Sequence, residues 1–393
     1  MLTSIAYLLI GGLSLGFIFN KLRLPALVGM LLAGILLGPY GFNLLDLSLL
    51  GISVEIRQIA LVIILLRAGL ALNLGDLKQV GRPAILLCFL PACFEIVGIM
   101  LIAPLLFDVT LLEAAVIGAV VAAVSPAVIV PKMLNLMDER RGTNRGIPQM
   151  IMAGGSVDDV FVIVLFTAFT TLASGGDVSV ASFLDIPVSI LLGAALGFVS
   201  GLGFASYFKR FHTRDSIKLL ALLSVAFIFL SLEQSLKGSV AISGLLAVMV
   251  MGITILSRYP ILAKRISPKL NKLWVGAEVF LFVLVGATVN IQYATAAGVA
   301  AIALILGAMI FRMLGVFTSM SGSPLNSKER LFCMIAYTPK ATVQAAIGSI
   351  PLAMGLPCGE LVLTVAVLSI IITAPIGAFG IDMTNKRLLT LED

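Results

Sequence analysis

The sequence predicts an all-α membrane protein that crosses the bilayer about thirteen times. Hydrophobic residues make up 60% of the 393 residues, charged residues make up only 12%, and the mean hydropathy is +1.14. Apolar runs that can each cross a hydrocarbon core of about 30 Å as an α-helix recur along the whole chain. Proline interrupts one such run in each half of the chain. These observations together predict a polytopic helical bundle with two discontinuous helices.

The apolar runs define thirteen predicted spans. They cover residues 2–20, 24–39, 54–72, 83–106, 110–136, 147–173, 182–207, 215–232, 239–256, 273–289, 294–320, 328–355 and 358–381. The first span lacks the basic start and the cleavage site of a signal peptide, so we expect a retained helix. The connecting segments are short and rich in turn residues. We therefore expect residues 1–393 to form a single membrane unit.

The distribution of Lys and Arg predicts the orientation of the chain. Of the 26 Lys and Arg residues, 21 fall in alternate loops, Arg23 and Lys78 among them, and only Lys237 is assigned to the opposite loops. Because basic loops stay in the cytoplasm, the C-terminus is expected there and the N-terminus outside. We expect an integral, multi-pass protein of a bacterial inner (plasma) membrane. Topology thus explains the net charge of +6, and no nucleic-acid partner is expected.

Histidine and cysteine give no sign of a metal centre or a catalytic site. His212, the only histidine, is expected in a basic loop. The cysteines are expected to pack as small apolar residues in or near the spans; they are Cys88, Cys93, Cys333 and Cys358. We therefore expect neither an enzyme nor a bound cofactor.

Charged residues inside the predicted spans are the strongest functional signal. A charge at the bilayer centre costs about 2.5 to 3.5 kcal/mol, so such residues must be paired or must line a wet cavity. Arg57 lies within a turn of the outer boundary, where its side chain can snorkel. The remaining cations are Arg67, Arg312 and Lys340, and the acids that match them in depth are Glu95, Asp158, Asp159 and Glu278.

Two adjacent aspartates stand near the middle of span six, in the segment MAGGSVDDVFVIVLF. Consecutive residues of a helix point about 100° apart, so Asp158 and Asp159 cannot face the same partner. One carboxylate can therefore face a cavity while the other faces a neighbouring helix. Their depth near the midplane is typical of a binding site in a membrane transporter.

Proline interrupts spans five and twelve, at Ser125-Pro126 and Thr338-Pro339. Proline removes a backbone donor and frees a carbonyl group in the preceding turn, which the membrane tolerates only where protein or water satisfies the freed groups. The two prolines are 339 − 126 = 213 residues apart, a distance that covers seven spans. Because seven is odd, the second half is inverted relative to the first. This pattern is typical of secondary transporters, which bind their substrate between the breaks.

Charged residues repeat at nearly the same distance. Glu95 and Arg312 are 312 − 95 = 217 residues apart, and Arg67 and Glu278 are 278 − 67 = 211 residues apart. We predict that each couple forms an ion pair across the symmetry axis of the repeat.

These residues resemble the monovalent cation:proton antiporter superfamily. The resemblance is carried by GGSVDD, the Ser-Pro of span five, Arg312 and the segment TPKATVQAAIG, and it is strongest to the NHA-type sodium/proton branch, which has two aspartates. It implies the sodium/proton antiporter fold, a homodimer in membrane lipids, exchange of Na⁺ or Li⁺ for protons, and Asp159 as the principal ion carrier. Many electrogenic relatives have Lys where this chain has Arg312.

The repeat and the resemblance together predict which segments of the chain transport the ion and which form the scaffold. The inverted repeats, 54–173 and 273–381, are expected to form the ion-transport core, while 1–53 and 182–256 are expected to supply dimerisation and scaffold helices. Span one is rich in glycine, which favours close helix packing. We therefore expect span one, which contains Gly11, Gly12 and Gly16, at the dimer contact.

A count of the core charges predicts competition for one site. Asp158, Asp159 and Glu95 give −3, Arg312 and Lys340 give +2, and Arg67 cancels Glu278, which leaves −1. Because a buried net charge is costly, one proton or one monovalent cation should occupy the site. We predict that Asp159 binds either H⁺ or Na⁺, since oxygen ligands suit a hard cation.

The remaining roles follow from this competition. The shell around the Na⁺ is expected from Asp158, Ser125, Thr338 and the carbonyl groups freed near Pro126 and Pro339. Lys340 is expected to hold charge balance near the second break. Because Arg312 cannot release a proton, we expect electroneutral one-for-one exchange.

The residues leave other transport functions open. A potassium/proton antiporter is the nearest alternative, because nothing in the sequence fixes the size of the cavity. A sodium-coupled symporter of organic anions can share this architecture, but few polar residues near the breaks suit an organic solute. A passive channel is less expected, because no ring of filter residues is visible.

Overall fold

The structure is a computed structural model that describes residues 1–22, 24–71, 81–174, 180–211, 213–236, 240 and 242–391, without the side chains of 156, 160 and 180–187. The predicted loop positions Arg23, Lys78, His212 and Lys237 lie outside these residues. In chain order the helices are α1 (Leu2–Lys21), α2 (Ala26–Leu37), α3 (Leu47–Gly51), α4 (Ser53–Ala71), α5 (Arg82–Leu87), α6 (Leu90–Leu106), α7 (Leu111–Val121), α8 (Pro126–Asp138), α9 (Ile147–Ala173), α10 (Val180–Arg210), α11 (Asp215–Ser235), α12 (Gly244–Arg258), α13 (Pro260–Ala287), α14 (Ile291–Ser319), α15 (Ser327–Ala336), α16 (Thr342–Ile347), α17 (Ile350–Ala353) and α18 (Gly359–Leu388).

The all-α prediction is confirmed. Within the described residues, each of the thirteen predicted spans contains helix, and there is no β-strand, only one isolated bridge between Arg141 and Leu391. In the part of the chain that the structure describes, nine helices are long and apolar enough to cross a membrane. Three shorter apolar helices cover Ala26–Leu37, Gly244–Arg258 and Thr342–Ala353.

Two predicted spans differ from the helices in extent. Helix α13 begins at Pro260, well before the predicted start of span ten at residue 273. The intervening cations ended the apolar run, but they do not end a helix, because Lys and Arg are good helix formers. Span four is divided at Cys88 and Phe89, and Pro91 stands at the start of the second piece, where its missing N–H is not needed.

Both predicted interruptions are present. Helix α7 ends at Val121 and α8 begins at Pro126, so the first break is a non-helical segment of four residues, 122–125. The second break separates α15, which ends at Ala336, from α16, which begins at Thr342. Pro126, which follows the first break, therefore starts a helix instead of kinking one.

The helices group into two compact units. One unit contains 1–54, 76–174 and 279–393, and it includes both breaks and the aspartate pair. A buried cluster of this unit is built mainly from aliphatic side chains and also contains the aromatic residues Phe332 and Tyr337. The other unit contains 55–75 and 175–278.

The glycines of α1 do not form a free packing face. A methyl group added at Gly12 would lie 2.7 Å from Val279 and 2.8 Å from Val283, and one at Gly16 would lie 3.2 Å from Met30. These glycines therefore pack against helices of the same chain, and the placement of span one at a dimer contact stays a prediction. Glycine in an apolar helix indicates close packing but does not identify the neighbour.

Candidate functional site

Helix α9 approaches the first break closely because two glycines precede the aspartates. A methyl group added at Gly155 would lie 3.1 Å from Val124 of the break, and one at Gly154 would overlap the hydroxyl group of Tyr337. Asp158 lies one turn after Gly154, so its side chain projects from the same face of the helix. The motif GGSVDD therefore places the acid pair beside the break.

Asp158 is fully buried, and one of its two carboxylate oxygens accepts two hydrogen bonds. Its Oδ2 accepts hydrogen bonds from the backbone N–H of Val124 and from Arg312 Nη2, both at 2.9 Å. Its Oδ1 is buried without a hydrogen-bond partner. Asp158 is thus the aspartate that faces neighbouring elements, as expected for one of two adjacent acids.

Arg312 of α14 joins both breaks to the acids. Its Nη1 donates to Glu95 Oε2 at 2.8 Å and also to the carbonyl of Ala122 in the first break. Its Nε donates to the carbonyl of Tyr337, at the second break, at 2.7 Å. A planar guanidinium with five donors suits this role, because it can serve several acceptors in fixed directions. The structure thus brings Glu95 and Arg312 together as the sequence predicted.

Lys340 completes the cluster from the second break. Its Nζ lies 2.7 Å from Oε1 and 2.8 Å from Oε2 of Glu95, and neither residue is exposed. Its backbone N–H donates to Thr373 Oγ1 of α18 at 3.0 Å, which anchors the break itself. Glu95 therefore balances two cations, Arg312 and Lys340.

Asp159 differs from its neighbour. It is 6% exposed, its Oδ1 has no hydrogen-bond partner, and it forms none of the ion pairs found within the described ranges. In the charge cluster, Glu95 and Asp158 (−2) balance Arg312 and Lys340 (+2), which leaves the charge of Asp159 (−1). The negative remainder that the sequence predicts thus belongs to one carboxylate.

The two predicted hydroxyl ligands lie at the breaks. Ser125 Oγ is buried without a hydrogen-bond partner, while the Ser125 N–H donates to the carbonyl of Pro339 at 2.8 Å. This bond joins the two breaks directly. Thr338 Oγ1 donates to the carbonyl of Ile335 at 2.8 Å, and its oxygen can still accept or bind a cation.

Several of the freed carbonyl groups accept hydrogen bonds from side chains. Their expected place in the shell of the ion stays a prediction, because a carbonyl oxygen has two lone pairs. Arg312 donates to those of Ala122 and Tyr337, and Gln344 donates to those of Val121 and Ala123. Side chains satisfy these groups because a buried carbonyl without a partner costs free energy.

Arg67 and Glu278 do not form the close ion pair that the sequence predicted. Both are described, and they interact electrostatically, but they are not among the N···O pairs within 4.0 Å. The spacing in the sequence predicts that the two residues lie at similar depths in the membrane. It does not predict the direction in which each side chain points around its helix axis. Similar depth alone was therefore not enough to predict an ion pair.

Two contacts of the site were not predicted. The bond between Asp158 and Arg312 depends on the rotation of α9, which the sequence does not give. Gln344 stands in TPKATVQAAIG as a polar residue among apolar ones, and this contrast was the available signal. Its side chain is fully buried.

Comparisons with known proteins agree with this architecture. A family model described as sodium/hydrogen exchanger, transmembrane, matches residues 5–386. Sodium/hydrogen exchanger 9B2 of Homo sapiens is 35% identical over 97% of this chain and 73% of its own length, and exchanger 9B1 of Homo sapiens is 31% identical over 93% and 73%. The solved structure of the sodium proton antiporter MjNhaP1 from Methanocaldococcus jannaschii matches with a TM-score of 0.84 at 21% identity, covering 98% of this chain and 99% of that chain.

The membrane-spanning helices, the two touching breaks and the buried charges define an integral, multi-pass transporter with the sodium/proton antiporter fold. This confirms the predicted fold class. The family follows from the match over nearly the whole length: the chain belongs to the sodium/hydrogen exchanger family.

Proposed function

We propose that this protein exchanges Na⁺, or Li⁺, for H⁺ by alternating access, with Asp159 as the shared carrier. The observation that carries the proposal is the contrast between two adjacent acids. Asp158 is bridged to Arg312 at 2.9 Å, whereas Asp159 is buried and has no ion-pair partner within the described ranges. A buried carboxylate without a cation must be neutralised by a proton or by a metal ion. Competition of the two for one carboxylate produces antiport.

The proposed Na⁺ ligands are Asp159, Asp158, Ser125 and Thr338. Asp158 Oδ1 and Ser125 Oγ support this set, because both are buried oxygens without a hydrogen-bond partner. Oxygen donors of this kind suit a hard monovalent cation. Glu95, Arg312 and Lys340 would stay charged around the site and keep its balance fixed.

Na⁺-driven proton movement in proteoliposomes tests the proposal. A pH-sensitive dye inside the vesicles should report proton movement when a Na⁺ gradient is imposed, and D159N should abolish it. The matched control is D108N, which removes an exposed carboxylate from the loop between α6 and α7. Full exchange by D159N would remove Asp159 from this role. Parallel gradients of Li⁺ and K⁺ distinguish the alternatives in cation preference.

We further propose one-for-one, electroneutral exchange. Asp159 would bind one Na⁺ in one direction of transport and one H⁺ in the other. Arg312 cannot release its proton, and Lys340 stays paired with Glu95 at 2.7 Å. The exchange rate should then be the same with and without an imposed membrane potential. A rate that follows the sign of the potential would exclude this stoichiometry.

The remaining proposals concern assembly and location. We propose a homodimer in membrane lipids, with 1–53 and 182–256 as dimerisation and scaffold helices and the repeats 54–173 and 273–381 as the ion-transport core. We also propose a bacterial inner membrane, with the N-terminus outside and the C-terminus in the cytoplasm. The mass of the purified complex tests the dimer, and reporter fusions at each terminus test the orientation.

A further inference from the structure

Three successive carbonyl groups at the first break are held by side chains from the second half of the chain. The last carbonyls of a helix lack partners within the helix, and α7 ends at Val121. The Nε2 of Gln344 donates to the carbonyls of Val121 and Ala123, at 3.0 and 2.8 Å. Arg312 donates to the carbonyl between them, that of Ala122.

Gln344 links the two breaks through a short path. It lies on α16, which begins directly after the second break, and it is fully buried. Its two hydrogen bonds therefore hold the start of α16 against the end of α7. The bond from the Ser125 N–H to the Pro339 carbonyl, at 2.8 Å, is a second link between the same segments.

One peptide group connects Gln344 to the acid pair. The carbonyl of Ala123 and the N–H of Val124 belong to the same peptide group, which is planar. Gln344 holds the carbonyl end at 2.8 Å, and the N–H end donates to Asp158 Oδ2 at 2.9 Å. The orientation of this N–H, and with it the position of the Asp158 carboxylate, therefore depends on Gln344.

The chemistry of the amide supports a positional role. Its Oε1 is buried without a hydrogen-bond partner, so only the nitrogen of the amide forms hydrogen bonds here. Its nitrogen donates hydrogen bonds to the two carbonyl groups of Val121 and Ala123. An ammonium group could donate as well, but it would add a third cation to a cluster in which Arg312 and Lys340 already balance Glu95 and Asp158.

We propose that Gln344 is a positioning residue for the cation site: it orients the Ala123–Val124 peptide that holds Asp158 beside Asp159. This inference rests on the proposed Na⁺/H⁺ exchange. A variant without these two donors should fold, but the Asp158 carboxylate, a proposed Na⁺ ligand, should be displaced. The first expected consequence is a higher apparent KM for Na⁺.

The test compares two variants in proteoliposomes. In Q344L both donors are lost, and the KM for Na⁺ should rise about tenfold, the change that 1.4 kcal/mol represents. In Q344E the neutral acid keeps one donor at acidic pH, whereas the carboxylate keeps none at alkaline pH and faces two carbonyl oxygens. The ratio of its KM to that of the wild type should therefore rise with pH, while the ratio for Q344L stays constant.

The control and the outcomes separate this role from general destabilisation. Q292L removes an exposed glutamine from the first turn of α14 and should leave the KM unchanged. Lower melting temperatures with an unchanged KM in Q344L and an unchanged pH profile in Q344E would overturn the positioning role but leave the exchange proposal standing. Absence of exchange in the wild type would overturn both. Q344E keeps the test open if Q344L fails to accumulate in the membrane.

Discussion

The two halves of the repeat contribute opposite chemistry to one buried cluster. The acids come from the first half, as Glu95, Asp158 and Asp159, and the cations come from the second, as Arg312 and Lys340. The inverted pattern of spans and breaks is repeated, but the charges are complementary instead of copied. The cluster therefore forms only when both halves are folded, which makes it a test of their association.

The two breaks also differ in how their backbone is held. The first break contains small and apolar residues, apart from Ser125, and its carbonyls depend on Arg312 and Gln344. The second break contributes Lys340 to the cluster and is anchored by Arg312 and by Thr373 of α18. Arg312 is the residue that both breaks share. Its loss should therefore have the largest effect.

Replacement of Arg312 by Met should severely destabilise the protein. It would leave Glu95 short of one cation, Asp158 without any, and two carbonyls without donors. Removal of one partner of a buried ion pair costs about 3 to 5 kcal/mol. The melting temperature of the detergent-solubilised protein measures the loss. A melting temperature within a few degrees of the wild type would contradict the contacts of Arg312.

A charge swap of Glu95 and Arg312 should fail to restore transport. If the two residues formed an isolated pair, E95R/R312E would rescue each single variant. In the structure, Arg312 also donates to two carbonyls and to Asp158, so Glu at this position would face three oxygens that need donors. Transport assays on the two single variants and the double variant measure the rescue. Recovery in the swap would show that these further contacts are dispensable.

The pair of Glu95 and Lys340 should show strong energetic coupling. E95Q leaves Lys340 buried without a counter-ion, and K340M leaves Glu95 with Arg312 alone. The double variant E95Q/K340M should therefore lose less stability than the sum of the single variants, with a coupling of about 1 to 3 kcal/mol. Melting temperatures of the four proteins complete the cycle. Additive effects would mean that the 2.7 Å contact contributes little.

Asparagine at the two adjacent aspartates should change stability in opposite directions. D158N removes the charge that Arg312 faces at 2.9 Å, so it should destabilise by about 1 to 3 kcal/mol. D159N removes a buried charge without an ion-pair partner, so it should stabilise the protein in Na⁺-free buffer at alkaline pH, where the carboxylate is ionised. Melting curves at that pH decide the sign. Equal destabilisation by both variants would remove the contrast between them.

Sequence reasoning predicted the parts of the fold that depend on length and on backbone chemistry. The thirteen spans follow from hydropathy, because a helix must be apolar over the thickness of the bilayer. Both breaks follow from Ser125-Pro126 and Thr338-Pro339, because proline lacks the donor that a continuous helix needs. The amphipathic start of α13 was missed, since a helix can continue where apolar residues stop.

Contacts that depend on helix rotation were only partly predictable. Adjacent aspartates must face different partners, but the sequence gives no absolute direction, so Asp158 could not be assigned to Arg312. The same limit applies to Arg67 and Glu278, which match in depth without forming a close pair. Gln344 was missed for another reason: its partners are backbone carbonyls, which have no signature in the side-chain pattern.

The smallest effect is expected at an ion pair near the surface of the same unit. Lys132 of α8 and Asp382 of α18 form a salt bridge, with side chains that are 29% and 51% exposed. Water screens such a pair, so it contributes about 0 to 1 kcal/mol. D382N should therefore shift the melting temperature by no more than a few degrees, and high salt should reduce even that shift. A loss as large as that of K340M would mean that the surface pair fixes α8 as firmly as the buried cluster does, and burial would then be a poor guide to which charges hold the two halves together.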